Sequence, residues 1–427
     1  MASLRGSDVV DVRRDLHAHP ESGWTEFRTT ALVAEELDRL GYRLHLGADA
    51  LAVDERLGVP SDDEIAGAVR RARDAGAPER YLDRMDGVTG LVAERTYGDG
   101  TGPTVGIRVD LDALERPEAS EESHRPAREG FASRHPGTMH ACGHDGHTAI
   151  GVGIARAMAD RSDFAGTLKL FFQPAEEGGR GGLPMSLGPH LDDVEYFFAL
   201  HLGLGNETGT VIAGYDRPLS NAKLDAVFRG ESAHAGKAPE SGRNALQAAA
   251  TAIQNLYAIP RHADGATRIN VGNVASPNAQ NVVSERAELR VEVRGETAAL
   301  NESMLERARR VLTHAAGMHA VELETELYGK TSTFVSDRAA VDVVAGAASG
   351  ADGVDEVVRR EPIGASEDAS FLIDRVQTVG GYGTYIGIGA SNVAGHHTAR
   401  FDIDEAALGV GVDVLVRSVL RCGANGD

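Results

Sequence analysis

Within Met139–Thr148 the chain gathers one cysteine, three histidines and a carboxylate: His140, Cys142, His144, Asp145 and His147. Thiolate, imidazole and carboxylate are the groups that hold transition-metal ions such as zinc or manganese, or that act as nucleophile and base. Cys142 and His144 stand two apart, so an extended, glycine-rich segment would point both side chains the same way. Three more clusters lie downstream: the pair Glu176-Glu177, then His201, then the pair His396-His397. Adjacent glutamates let two carboxylates divide labour, one holding metal and the other moving a proton from water. A Cys142 nucleophile activated by His144 is the rival reading, and it leaves Glu176, Glu177 and His201 without a task. No phosphate-cradling Gly-x-x-x-x-Gly-Lys loop occurs, and no Gly-x-Ser-x-Gly elbow follows a strand.

These groups need elements to position them. Gly87–Glu94, Pro103–Leu111, Gly166–Gln173 and Val194–Leu200 read as strands, the second and third apolar as buried strands are. Asp110 and Asp112 lie at the end of the second, Glu176-Glu177 just beyond the third, and His201 closes the fourth. Val9–Leu16, Trp24–Leu40 and Thr148–Met158 carry helical patterns. Strands alternating with helices, with polar residues at strand ends, predict an open α/β sheet whose site runs along its carboxyl edge. The charged, alanine-rich stretch Asp49–Asp86 is expected to be a helical insertion outside the sheet. From Lys223 to Glu326 the predicted order changes to βαββαβ, the pattern of a ferredoxin-like domain. The expected organisation is therefore a discontinuous catalytic domain, residues 1–216 and 331–427, with a small domain inserted at 217–330.

Composition narrows the function. Sixty-four acidic residues against 43 basic ones give a net charge of −21, which argues against nucleic-acid binding. Lysine occurs only at 169, 223, 237 and 330. Two cysteines, Cys142 and Cys422, suggest no disulfide framework. With no apolar leader and no run long enough to span a bilayer, a cytoplasmic protein without a membrane role is expected.

With those residues in view, the chain resembles the M20 family of metal-dependent amidohydrolases, in its cysteine-ligand branch (subfamily D). The motifs that carry the resemblance are Arg13–Glu21, Val109–Leu114, Met139–Thr148, Gln173–Gly178, Ser232–Gly236 and Phe401–Glu405. The likeness is to long members that share Glu21–Thr29, the insertion at Asp49–Asp86 and Ala394–His397, an insertion that shorter hippurate and auxin-conjugate hydrolases lack. The resemblance implies two divalent ions, Mn2+ or Zn2+, held by Cys142, His144, Glu177, His201 and His397. It implies Glu176 as general base and Asp112 as a group orienting the site from behind the ligands. The inserted domain would dimerise, as a homodimer or as a heterodimer with a related B subunit, and His234 would reach the partner's site to polarise the substrate carbonyl. Asn281 and Arg294 match positions that bind a substrate carboxylate, although Ser284 replaces the usual proline and His396-His397-Thr398-Ala399 replaces the usual Leu-His-Ser-Pro. The activity implied is hydrolysis of N-acyl amino acids, with p-aminobenzoyl-glutamate the expected substrate. The alternatives are a broader N-acyl or N-benzoyl amino acid hydrolase and a non-catalytic partner in a heteromeric hydrolase.

Overall fold

The computed structural model describes residues 2–424. In chain order its strands are β1 (Arg43–Leu46), β2 (Leu91–Tyr97), β3 (Thr104–Asp110), β4 (Gly166–Gln173), β5 (Tyr196–Leu202), β6 (Thr210–Asp216), β7 (Ser220–Arg229), β8 (Thr267–Ala275), β9 (Arg286–Gly295), β10 (Glu322–Thr331), β11 (Glu356–Val358), β12 (Glu361–Pro362) and β13 (Tyr382–Ile388). The chain divides into two compact units. One holds the residues up to Asp216, Phe334–Ile363 and the residues from Asp368 onward; the other holds Arg217–Thr333 and Gly364–Glu367.

The larger unit is built on a nine-stranded mixed sheet, ordered β1-β2-β4-β3-β5-β13-β6-β11, with β12 also beside β6. At its centre β4, β3, β5 and β13 run parallel, while β1, β2 and β6 join antiparallel. Because four neighbouring strands point one way, their carboxyl ends meet along one edge, where such sheets form their sites. Side chains alternate across a strand, so consecutive apolar residues enter different cores. Phe172 and Phe198 pack with Ile150 and Leu415 on one face, whereas Phe171 and Phe197 pack with Leu372 and Ile373 on the other. Burial on both faces is why these strands read as continuous apolar runs.

The insertion lies outside the sheet, as expected. Its principal helices are Asp62–Asp74 and Glu79–Met85. A capping box starts the first: the Ser61 hydroxyl accepts from Glu64 N–H, and the Glu64 carboxylate accepts from Ser61 N–H. Tyr81, Leu82 and Met85 are buried, which ties this charged stretch into the unit despite its weak periodicity.

The smaller unit has the ferredoxin-like order in sequence and in space: β10-β7-β9-β8, all antiparallel. Helices Ala245–Tyr257 and Ala298–Met318 share its core with Leu224, Phe228, Leu289 and Val291. The opposite sheet face is polar.

Gly106 marks the tightest packing in the central sheet. A Cβ there would lie 2.8 Å from Phe197 Cδ2 and 3.3 Å from Phe171 Cε2. Those rings already meet edge to face at 5.7 Å, so neither has room to move aside. Gly106→Ala is expected to destabilise the protein by about 1–3 kcal/mol, the usual cost of overpacking. A urea midpoint equal to that of the parent protein would refute this.

Candidate active site

The segment bearing Cys142 is not extended throughout. Gly143 adopts φ +95°, a left-handed conformation that glycine takes without strain, and helix His144–Ala159 starts immediately after it. His144 and His147 therefore occupy the first helical turn, one facing Asp112 and the other Asp110.

His147 has a defined structural task. Its Nε2 accepts from Leu202 N–H at 2.9 Å, so the ring proton sits on Nδ1 and is donated to Asp110 Oδ1 at 2.6 Å. With both nitrogens engaged, His147 has no lone pair left for a metal, although it lies close to Asp110 and His144. Burial opposes a charge on Asp110, yet His144, His147 and Arg108 hold its carboxyl well below the usual range.

His144 differs. Its Nδ1 lies 3.3 Å from Asp112 Oδ1, whereas its buried Nε2 has no hydrogen-bond partner and sits 4.0 Å from Glu176 Oε2. Asp112 also clamps the glutamate loop, accepting from Glu176 N–H and Glu177 N–H at 3.0 Å each. Ala175, at φ +51°, donates its N–H to buried Glu26 at 2.7 Å. Burial and the neighbouring Asp112 charge push Glu26 up to about 8.

His201 lies within β5 rather than after it. Its Nδ1–H donates to Leu202 O at 2.8 Å, leaving Nε2 pointed at Cys142 Sγ, 3.4 Å away. Of the two late histidines, His397 faces the cluster: its Nε2 is 3.5 Å from Glu177 Oε1, and its N–H donates to Ala141 O at 2.8 Å. His396 turns its Nε2 toward Leu202 O at 3.2 Å and packs its ring on Phe401.

Among the described residues, three of the donor groups join the sequence candidates, Cys142–His144–His201, Cys142–Glu177–His397 and His144–Glu176–Glu177, each with its donor atoms within 4.8 Å of one another. The fit to divalent metal rests on chemistry visible here. The buried His144 Nε2 has nothing to bond, His201 turns a lone pair inward, and the donors are thiol, imidazole and carboxylate. Burial pushes the Cys142 thiol up, and Glu177 adds to the shift. A cation would reverse both effects and favour the thiolate.

Beneath this cluster lies a network to which sequence reasoning gave no role: Arg13, His17, Asp145, Asp402 and Glu405 stand in the quoted motifs, whereas Glu118 and Arg125 lie in none. Arg13, fully buried, donates to Asp145 Oδ2 (2.8 Å), Asp402 Oδ1 (2.9 Å) and Glu405 Oε1 (3.1 Å). His17 spans Asp145 and Glu118 at 2.8 and 2.9 Å, and Arg125 grips Asp402 from the other side. Burial opposes a charge on His17, but its two carboxylate partners carry its pKa upward. The network joins the residue after His144 to the segment that follows His397.

The other sequence candidates belong to the smaller unit. The loops bearing His234 and Asn281 are zipped together, with Ala235 N–H donating to Asn281 O and Val283 N–H to Ala233 O. Arg294 forks onto Glu292 at 2.9 and 3.1 Å.

The model of peptidase family M20/M25/M40 matches residues 106–421. An indole-3-acetyl-aspartic acid hydrolase of Enterobacter agglomerans is 46% identical over 418 residues, 97% of this chain and 95% of that protein. One of the subunits of the p-aminobenzoyl-glutamate hydrolase of Escherichia coli K12 is 43% identical, covering 96% of this chain and 94% of its own. The crystal structure of an aminobenzoyl-glutamate utilization protein from Klebsiella pneumoniae superposes with a TM-score of 0.83 at 40% identity, covering 97% and 95% of the two chains. An indole-3-acetyl-aspartic acid hydrolase thus matches over nearly the whole length, so the long form does not by itself separate p-aminobenzoyl-glutamate enzymes from those acting on auxin conjugates.

Removing Arg13 would strand buried carboxylates. Arg13→Met is expected to cost about 3–5 kcal/mol, as breaking a buried pair does, and Arg13→Lys less. Burial opposes charge on Asp402 and Glu405, yet Arg125 and Arg13 hold Asp402, and Arg14, Arg13 and Arg125 hold Glu405, below their usual range. Both folded values are depressed, so this stabilisation is complete above the unfolded carboxyl range near pH ~4 and is lost progressively as pH falls from there through the lower folded values. Denaturant titrations between pH 7 and pH 3 check both points. A parent protein that keeps its full stability at pH 3 would contradict the second.

Proposed function

The chain belongs to peptidase family M20/M25/M40, and from that premise we propose that it hydrolyses the amide bond of N-acyl amino acids, p-aminobenzoyl-glutamate foremost. The observation that carries the reading is Glu176, set beside the partnerless His144 Nε2 in a buried cluster of thiol, imidazole and carboxylate. The two relatives named by substrate support its class: each name joins an aromatic acyl group to a dicarboxylic amino acid.

In this reading two divalent ions, Mn2+ or Zn2+, are held by Cys142, His144, Glu177, His201 and His397, with Cys142 common to two donor groups. Bound there, they would supply Lewis acidity to the amide carbonyl and make water more acidic. Glu176 takes the proton from the attacking water and returns it to the leaving nitrogen as the carbon–nitrogen bond breaks. Asp112 fixes the loop that aims Glu176 and orients His144. His234, supplied by a second protomer, donates to the carbonyl oxygen as negative charge develops there. Asn281 and Arg294 receive the carboxylate of the released amino acid. The partner is a second copy or a related B subunit, since the E. coli relative is named as one component of a larger enzyme, and the setting is the cytoplasm.

The test is release of glutamate from p-aminobenzoyl-glutamate by this chain purified alone and supplied with Mn2+. No release, with activity restored by a B subunit, would favour a heteromeric enzyme. No release from any N-acyl amino acid under either condition would sink the proposal. Glu176→Ala should retain metal and lose about 10²–10⁴-fold in kcat, the usual worth of a general base. Glu177→Ala should lose metal, measured by elemental analysis after dialysis. Parent-like turnover in Glu176→Ala would remove it from its role.

A further inference from the structure

The open face of the four-stranded sheet separates its charges along the strands. At one end a polar row crosses all four strands, with Thr331 (β10) opposite Asn221 (β7), Asn221 opposite Arg294 (β9), and Arg294 opposite Arg268 (β8). In the next row Lys223 and Asn270 flank Glu292. These two rows hold three cations, Arg268, Arg294 and Lys223, against one carboxylate. Toward the other end of the same face, five carboxylates, Asp225, Glu288, Glu322, Glu324 and Glu326, meet three arginines. A positive end is thus maintained on a chain whose net charge is −21.

That arrangement sets like charges side by side on an open face, where a bound anion would relieve their repulsion. Residues directly opposite on antiparallel strands have Cβ atoms about 4.5–5.5 Å apart, and like charges there repel. Glu292 answers Arg294. Among the described residues nothing answers Arg268, whose guanidinium donates only to Thr267 O, or Lys223, which has no carboxylate partner. The Asn221 side chain is buried with its Oδ1 unpartnered beside Arg294. A cavity of about 300 Å3 opens on this face beside these rows; Lys223, Asp225, Arg290, Glu292 and Tyr328 are in its lining, and Arg268 and Arg294 lie outside it.

We propose that Arg268, with Lys223, is a specificity determinant that takes the second carboxylate of a dicarboxylic acyl amino acid while Arg294 takes the first. This deepens the proposed amidohydrolase reading and rests on it. Two guanidiniums side by side on neighbouring strands suit a ligand bearing two carboxylates: Arg268 has donors left to fork onto one, and Arg294 would take the other in exchange for Glu292. A monocarboxylic amino acid needs only Arg294.

The test compares the Mn2+-loaded full-length enzyme with Arg268→Gln, Arg268→Lys and Lys223→Gln on N-benzoyl-glutamate and N-benzoyl-alanine. Arg268→Gln should raise KM for benzoyl-glutamate about tenfold with kcat little changed, so that selectivity over benzoyl-alanine falls by about the same factor. Arg268→Lys should recover part of the loss. Equal changes on both substrates, or none, would overturn the proposal. Calorimetric titration of the metal-loaded Glu176→Gln protein with benzoyl-glutamate is the second arm, and it needs no turnover. If the parent hydrolyses neither substrate, turnover carries no information on selectivity and this arm decides alone. Binding lost on adding Arg268→Gln supports the arginine pair; binding unchanged, or no binding at all, overturns it.

Discussion

A guanidinium with no exposure to water must be answered by carboxylates, and the three that answer Arg13 come from distant parts of the chain. Taking such charges out of water costs several kcal/mol per ion and is offset only by near-complete pairing. The geometry is correspondingly full: Arg13 reaches Asp145, Asp402 and Glu405, while Arg125 and His17 make further bonds to Asp402 and Asp145. The first helix, the helix that begins at His144 and the segment after His397 are thereby held in one arrangement. Two of the donors proposed to hold metal, His144 and His397, lie on or directly beside the latter two elements.

Above that anchor the parallel centre of the sheet does the gathering. β3, β4 and β5 end at Asp110, Gln173 and Leu202, so Asp112, Glu176-Glu177 and His201 arrive at one edge with no long excursion of the chain. Asp112 then works through the backbone as well as through a side chain. By accepting the N–H groups of both Glu176 and Glu177 it fixes where their carboxylates start, and its contact with His144 fixes a ring. One carboxylate thus sets the position of three neighbours.

Much of this was legible in the residues. Near-continuous apolar runs announced strands buried on both faces, and the polar clusters at their ends announced the site edge. The βαββαβ order of the smaller unit could be read from periodicity alone. What could not be read depended on conformation or on distant pairing. The helix starts at His144 because of a left-handed Gly143, which the expected extended segment passed over. β1 is only four residues long, too short for its alternation to be distinguished from a loop. Asp110 and His147 were visible as residue types, but the Leu202 N–H that fixes the histidine tautomer lies on another strand. Arg13 and Asp402 stood in recognisable motifs, yet nothing local marks them as two halves of one buried pair.

The span of that pairing sets an order in time. Arg13 and Glu405 are 392 positions apart, so a ribosome adding ~5–20 residues per second exposes the arginine about 20–80 s before its last carboxylate is made. The smaller unit draws on an almost continuous stretch, Arg217–Thr333, and most of it emerges as a block in the interval. The larger unit has to wait for Asp402 and Glu405. A product cut short before Asp402 would carry Cys142, His144, Glu177 and His201 but lack two of the three carboxylates that neutralise Arg13. Late closure of this kind makes the anchor beneath the ligand cluster depend on residues made after all five of its proposed donors.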